Sequence, residues 1–175
     1  MFQSPPAAAL PITQRVIGLL ILMNLLWGVA ILSLLVGTLI APGPVLGALG
    51  AHPAPGNVQR VLGLRMVMVL GIASVPLIHA ALTWLRAMVE TVRLGDPFVH
   101  DNAVRLARIA WVVLGLELLR LAVGAVAAAA SSRTAPLHIG WSISPTPWLA
   151  VLLLFVLARV FERGAAMREE LDGTV

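Results

Sequence analysis

Polar side chains interrupt this chain only at wide intervals, and the apolar runs between them set its architecture. From Val16 to Ile40 the sequence reads VIGLLILMNLLWGVAILSLLVGTLI, with Asn24 as the one strongly polar side chain. Crossing roughly 30 Å of hydrocarbon takes about 20 mostly apolar residues as a helix, because each backbone N–H and C=O must be paired inside the segment. This run meets that length. A second run from Met66 to Leu85 lies between Arg65 and Arg86 and contains Pro76, which predicts a kink near Ile72 to Pro76. A third, Ala107 to Ala130, carries Glu117 and Arg120 in its middle and ends in GAVAAAA.

The fourth run is shorter. It is apolar from Pro147 to Ala158 and then meets Arg159, Glu162 and Arg163. Alone it reads as an interfacial segment, but the helical pattern continues through GAAMREEL to Leu171, which favours one long helix whose last turns stand in water with Arg159 snorkelling to the headgroups. The expectation is an all-α fold: an integral membrane four-helix bundle, a single domain over 1–175, with helices at about 16–40, 66–86, 102–131 and 147–171. Composition agrees, with 59% hydrophobic residues, 11% charged and a mean hydropathy of +0.96, against about 25% charged in soluble domains. The absence of cysteine excludes disulfides, Cys-type zinc sites and thiolate catalysis from the chain itself.

Arginine placement gives the orientation, since basic residues near membrane ends favour the cytoplasmic side. Arg15, Arg86, Arg93, Arg105, Arg108, Arg159, Arg163 and Arg168 fall on one side, against Arg60, Arg65 and Arg133 on the other. Both termini and the middle loop are therefore expected to face the cytoplasm. The first apolar run exceeds the core of a signal peptide and no small-residue cleavage site follows, so it is read as retained. APGPVLGALGAHPAPGNVQ reads as an irregular external connection with a short surface turn around Val45 to Leu49. SSRTAPLHIGWSISPTPW is the other external loop. Trp141 and Trp148, with Trp84 and Trp111 elsewhere, suit the headgroup level, whereas Trp27 lies too deep and is expected to pack inside.

The middle loop, ETVRLGDPFVHDNAVRLARIAW, is the most informative segment. Gly95, Asp96 and Pro97 signal a turn, and Asp101 is placed to cap the next helix with Arg105 four residues on. Phe98 is expected as an apolar plug against the bundle. Two readings stand for this connector: a tight, well-capped turn, or a docking surface for a cytoplasmic protein. At the other end, FERGAAMREELDGTV puts Glu169, Glu170 and Asp172 where the helix dipole disfavours acids. Those acids could meet Arg93, Arg105 and Arg108 within the molecule, or the basic face of a DNA-binding domain. Gly173 is expected to end the helix in left-handed geometry.

LGDPFVHDNAVRL and, about 50 residues later, the closing FERGAAMREELDGTV resemble the bacterial family of small membrane proteins called domain of unknown function 2975. The pattern falls on Gly95, Pro97, Phe98, Asp101, Asn102, Arg105 and Leu106, then on Phe161, Gly164, Glu169, Glu170, Asp172, Thr174 and Val175. The resemblance covers nearly the whole chain and supplies no catalytic residues. It implies, through the gene context of the family, a cytoplasmic helix-turn-helix transcription regulator as partner, held or sequestered at the membrane. The partner-binding candidates are Asp96, Phe98, Asp101, Asn102, Arg105, Arg168, Glu169, Glu170, Asp172, Thr174 and Val175.

Asn24, His79, Glu117 and Arg120 are the polar groups expected within the apolar phase. At about 1.5 Å of rise per residue the first three lie roughly 12, 9 and 15 Å in from the cytoplasmic ends of their segments, so they can form one layer. Arg120, three residues beyond Glu117, can pair with it. A polar cluster that fixes helix register, a sensing or ligand site, and a proton or solute pathway all remain open readings. There is no phosphate-binding glycine loop, HExxH helix or GxSxG elbow. The expectation is accordingly no enzyme, no cofactor, no metal and no direct nucleic-acid contact, with the bilayer and a regulator as partners. Gly71, Ala73, Gly115, Ala122 and Gly124 permit close helix approach within one chain or between copies, which leaves a homo-oligomer open. A small-molecule or stress-sensing module, or a channel or transporter, are the alternatives to a regulator-binding role.

Overall fold

In the computed structural model the residues described are 9–49, 58–95, 97–131 and 144–172. They form five helices: α1 (Ala9–Ile40), α2 (Pro42–Ala48), α3 (Val58–Arg93), α4 (His100–Ala130) and α5 (Thr146–Asp172). Three of them, over Ile12–Ile40, Val58–Arg93 and His100–Ala130, are long and apolar enough to cross a membrane. The fifth is one continuous helix of 27 residues, although its apolar part is short.

The helices overrun the apolar runs that predict them. α1 starts ahead of Gln14 and Arg15, and α3 extends over Gln59 and Arg60 at one end and Glu90 to Arg93 at the other. Polar residues at helix ends pair their own backbone as readily in water as in lipid, so hydropathy marks the immersed part and not the helix. The Pro/Gly-rich stretch after α1 departs from the expected irregular connection. Pro42–Ala48 is helical, with proline at the first turn, where a missing N–H costs no hydrogen bond, and Leu46 fully buried. Trp141, Arg133, Gly173 and most of the two external loops lie outside the described residues.

Two compact units are present. One comprises Asn24–Leu77 and Leu116–Ile143. Here α1 faces α3 through a stripe spaced by threes and fours: Asn24, Gly28, Ile31, Leu35 and Thr38 are its less exposed positions. A Cβ on Gly28 would stand 3.0 Å from Val75 and one on Gly71 3.4 Å from Ile31. Trp27, off that stripe, is 68% exposed and points outward, contrary to the expected inward packing. Asn24 and Gly28 take the contacts with α3, leaving Trp27 for the lipid. α3 remains helical through Pro76, with Ser74 Oγ donating to Gly71 O and Asn24 Nδ2 donating to Val75 O at 3.0 Å.

Helix ends in this unit are closed by side chains. Arg65 Nη2 donates to Thr38 O at 2.7 Å near the carboxyl end of α1, and Gln59 Nε2 donates to Ala129 O at 3.0 Å at the end of α4. Ser131 Oγ donates to Ala127 O. These are the carbonyls a helix leaves without internal donors, and a guanidinium there also meets the negative end of the dipole.

The other unit comprises residues up to Met23, Ile78–Gly115 and Ser144 onward. Its core is small-residue packing of α4 on α5: Ala103, Leu106 and Ala110 are buried on one helix, and Val151, Ala158 and Ala165, seven apart, on the other. Seven-residue spacing keeps one face toward a neighbouring helix, and alanine lets the axes approach. At the first turns of α1, Gln14 Nε2 hydrogen-bonds Glu90 Oε2, while Arg93 Nη2 holds Glu90 Oε1 at 2.7 Å.

A Cβ on Gly63 would lie 2.2 Å from the Ala130 Cβ, whereas one on Gly18 meets nothing within 4 Å. Gly63→Val should therefore destabilise the protein in detergent by about 1–3 kcal/mol through overpacking, and Gly18→Ala should leave the unfolding midpoint unchanged. Unfolding followed by circular dichroism in a denaturing-detergent titration checks both.

Candidate functional site

The connector between α3 and α4 is built around one amide. Asn102 opens α4 and is fully buried. Its Nδ2 donates to Thr91 Oγ1 at 2.6 Å on α3 and to Pro97 O at 3.0 Å in the turn. Its Oδ1 accepts from Arg105 Nη1 at 3.0 Å, and its backbone N–H donates to Val99 O. One side chain thus ties the end of α3, the turn and the start of α4, with both amide donors used and the acceptor taken by a cation. Hydrogen bonds to charged groups are the stronger ones, and a buried amide left unmatched is costly.

The chain reaches this arrangement through Gly95, whose φ of +87° is a left-handed conformation that side chains rarely adopt. Leu94 N–H to Glu90 O and Gly95 N–H to Val92 O close the end of α3. Asp101 lies in the first turn of α4 and not ahead of it. There its carboxylate meets the positive end of the helix dipole and accepts from Arg105 Nη2 at 3.2 Å. Asp96 is outside the described residues.

Phe98 leaves the turn and packs on α5. Its ring lies 5.4 Å from that of Phe161, tilted by 35°, and a Cβ on Gly164 would stand 2.9 Å from its Cδ1. Gly164 is therefore the hollow into which Phe98 fits. Phe98 as a residue remains 44% exposed and is not sealed by this contact. Further along, Trp111 packs edge-on to Phe155 at 5.4 Å, and the Arg108 guanidinium sits 5.8 Å from the centroid of the Trp84 ring.

The structure thus brings the connector residues Gly95, Pro97, Phe98, Asp101, Asn102 and Arg105 together with the distant Phe161 and Gly164 in one feature of a single unit. Thr91 joins them through Asn102, although it is not among the connector residues singled out from the sequence. On α5, Arg168 and Glu170 are exposed and neither is without a partner. The side chains of Glu169 and Asp172, together with Thr174 and Val175, lie outside the described residues. Of the arginines expected to meet the tail acids, Arg93 is engaged by Glu90, Arg105 by Asp101 and Asn102, and Arg108 by Trp84.

The intramembrane candidates divide between the units. Asn24 holds the Val75 carbonyl. Glu117, with a side chain only 5% exposed, pairs with Arg120 through two hydrogen bonds, Nε to Oε2 at 2.9 Å and Nη2 to Oε1 at 2.6 Å. This two-point geometry brings a buried carboxylate its counter-charge from the next turn of the same helix. His79 belongs to the other unit, and its Nδ1 is buried without a hydrogen-bond partner. Among the described residues no three His, Asp or Glu side chains converge as metal ligands.

Long apolar helices with polar side chains sealing their ends define an α-helical membrane protein. Residues 52–175, from ahead of α3 to the C-terminus, match the family described as "Protein of unknown function (DUF2975)", and the chain belongs to that family. No curated protein and no solved structure matches it.

Asn102→Leu should lower stability by about 1–3 kcal/mol, because Thr91 and the Pro97 carbonyl lose a buried donor. Gly164→Leu should close the hollow without touching that network. A reporter dye coupled to the thiol of a Phe98→Cys variant should then shift its fluorescence toward a wetter environment when Gly164→Leu is added. An unchanged spectrum would count against the hollow.

Proposed function

We propose that this chain is a multi-pass protein of the bacterial cytoplasmic membrane that binds and holds a cytoplasmic helix-turn-helix transcription regulator. In this reading α1, α3, α4 and α5 form the membrane bundle, with both termini and the α3–α4 connector in the cytoplasm. The excess of arginine on that side supports the orientation. The carrying observation is the packing of Phe98 against Phe161 and Gly164, which joins connector and α5 into one surface.

Asn102 shapes that surface from within, since its side chain is spent on Thr91, Pro97 and Arg105. Asp101, paired with Arg105 yet largely exposed, and the outer face of Phe98 are accessible to a partner, and Arg168 and the closing acids follow Gly164 along the same chain segment. A regulator that reads operators is basic where it meets phosphate, so an acidic helix end is suited to cover that face. Binding of this kind breaks no bond. It reduces DNA occupancy by confining the regulator to the membrane.

A small-molecule-sensing role is the second reading, favoured by a hollow of about 220 Å³ where Leu70, Gly71, Ser74, Leu116, Leu119 and Val123 surround the aliphatic approach to Arg120. The two-point pair of Glu117 with Arg120 weighs against a proton path, because both charges are already matched.

Affinity purification of the full chain from its own membrane should bring down a helix-turn-helix protein. Removing residues 168–175 should reduce that recovery at least about tenfold, the loss expected when a few central contacts dominate an interface. Equal recovery with the shortened chain would overturn the proposed contact.

A further inference from the structure

The geometry points to a binding site for one anionic phospholipid on α5, with an acyl chain in the hollows beside Phe155 and the phosphate between Arg159 and Arg163. Two hollows meet there. One, of about 270 Å³, lies between α4 and α5 and is lined by Ala103, Ala107, Phe155 and Ala158, with His100, Arg159 and Glu162 as its polar members. The other, of about 500 Å³, runs along Leu152, Val156 and Val160 and ends at Arg159 and Arg163. Phe155 and Arg159 border both.

The occupant follows from shape and charge together. Leu152, Val156 and Val160 are exposed, and a face of that kind outside water calls for an apolar ligand. Arg159 and Arg163 stand four residues apart, on one side of the helix. Glu162 bonds Arg159 at 2.8 Å, while Arg163 has no ion pair among the described residues, so two cations face one acid. Guanidinium groups hold phosphate through paired N–H donors. A soluble anion would use the arginines and leave the hollows empty; a neutral lipid would do the reverse.

Depth supports the same occupant. From Pro147 to Ala158 the apolar part of α5 rises about 18 Å, well short of the hydrocarbon thickness of roughly 30 Å. Arg159 and Arg163 therefore start short of the far boundary, and their long side chains extend toward it to reach phosphate. The site requires neither the regulator nor a particular side of the membrane.

The test uses the full chain in nanodiscs of phosphatidylcholine with a minor fraction of phosphatidylglycerol, released into native mass spectrometry. One phosphatidylglycerol should stay bound in preference to phosphatidylcholine. Arg159→Gln with Arg163→Gln should cut that preference at least about fivefold, on the scale of one basic residue at a charged surface. Arg93→Gln, away from the hollows, should leave it unchanged. Both substituted side chains are exposed, and unchanged helical circular dichroism confirms that folding is kept. Retained preference in the double variant overturns the site. Displacement of the lipid by millimolar glycerol 3-phosphate also overturns it, because a headgroup alone would then suffice.

Discussion

A backbone immersed in hydrocarbon has to satisfy its own hydrogen bonds, and in this protein that requirement leaves many of the side-chain contacts at the places where helices stop. Within α1, α3 and α4 the ladder of backbone bonds needs no help from side chains. At the ends it does, and polar residues are concentrated there: Arg65 on Thr38 O, Gln59 on Ala129 O, Ser131 on Ala127 O. Asn24 on Val75 O and Ser74 on Gly71 O add such contacts inside the span, on carbonyls ahead of Pro76. The residues a sequence reader would mark as candidates for chemistry mostly hold backbone.

Asn102 carries this logic furthest. A buried amide with three partners is a poor docking residue and a good pin, and it fixes where Phe98 leaves the turn. Phe98 in turn requires the missing side chain of Gly164. The connector and α5 consequently hold each other, and a soluble protein touching one touches a surface partly set by the other.

Much of this is legible in the sequence and some of it is not. The long helices follow from hydropathy alone, and the Asp101–Arg105 and Glu117–Arg120 pairs follow from helical spacing. The stripe on α1 is largely hidden because that helix is apolar on every side but for Asn24, so nothing distinguishes Gly28 and Ile31 as its packed face from Trp27 beside them. α2 is obscured by proline and glycine, whose turn preference outweighs a favourable proline position at the helix start. Thr91 gives no signal, since its link to Asn102 depends on how the turn folds back. Phe98 reads as a plug from the sequence, but its socket at Gly164 lies across tertiary space.

The central claim is that the connector and the end of α5 present one surface to the cytoplasm. Because the chain has no cysteine, single cysteines introduced as Leu94→Cys and Glu170→Cys can be labelled in intact cells with a membrane-impermeant maleimide. The account predicts that both are protected until the inner membrane is opened, and that both then react. Labelling of one position from outside while the other stays protected would contradict it.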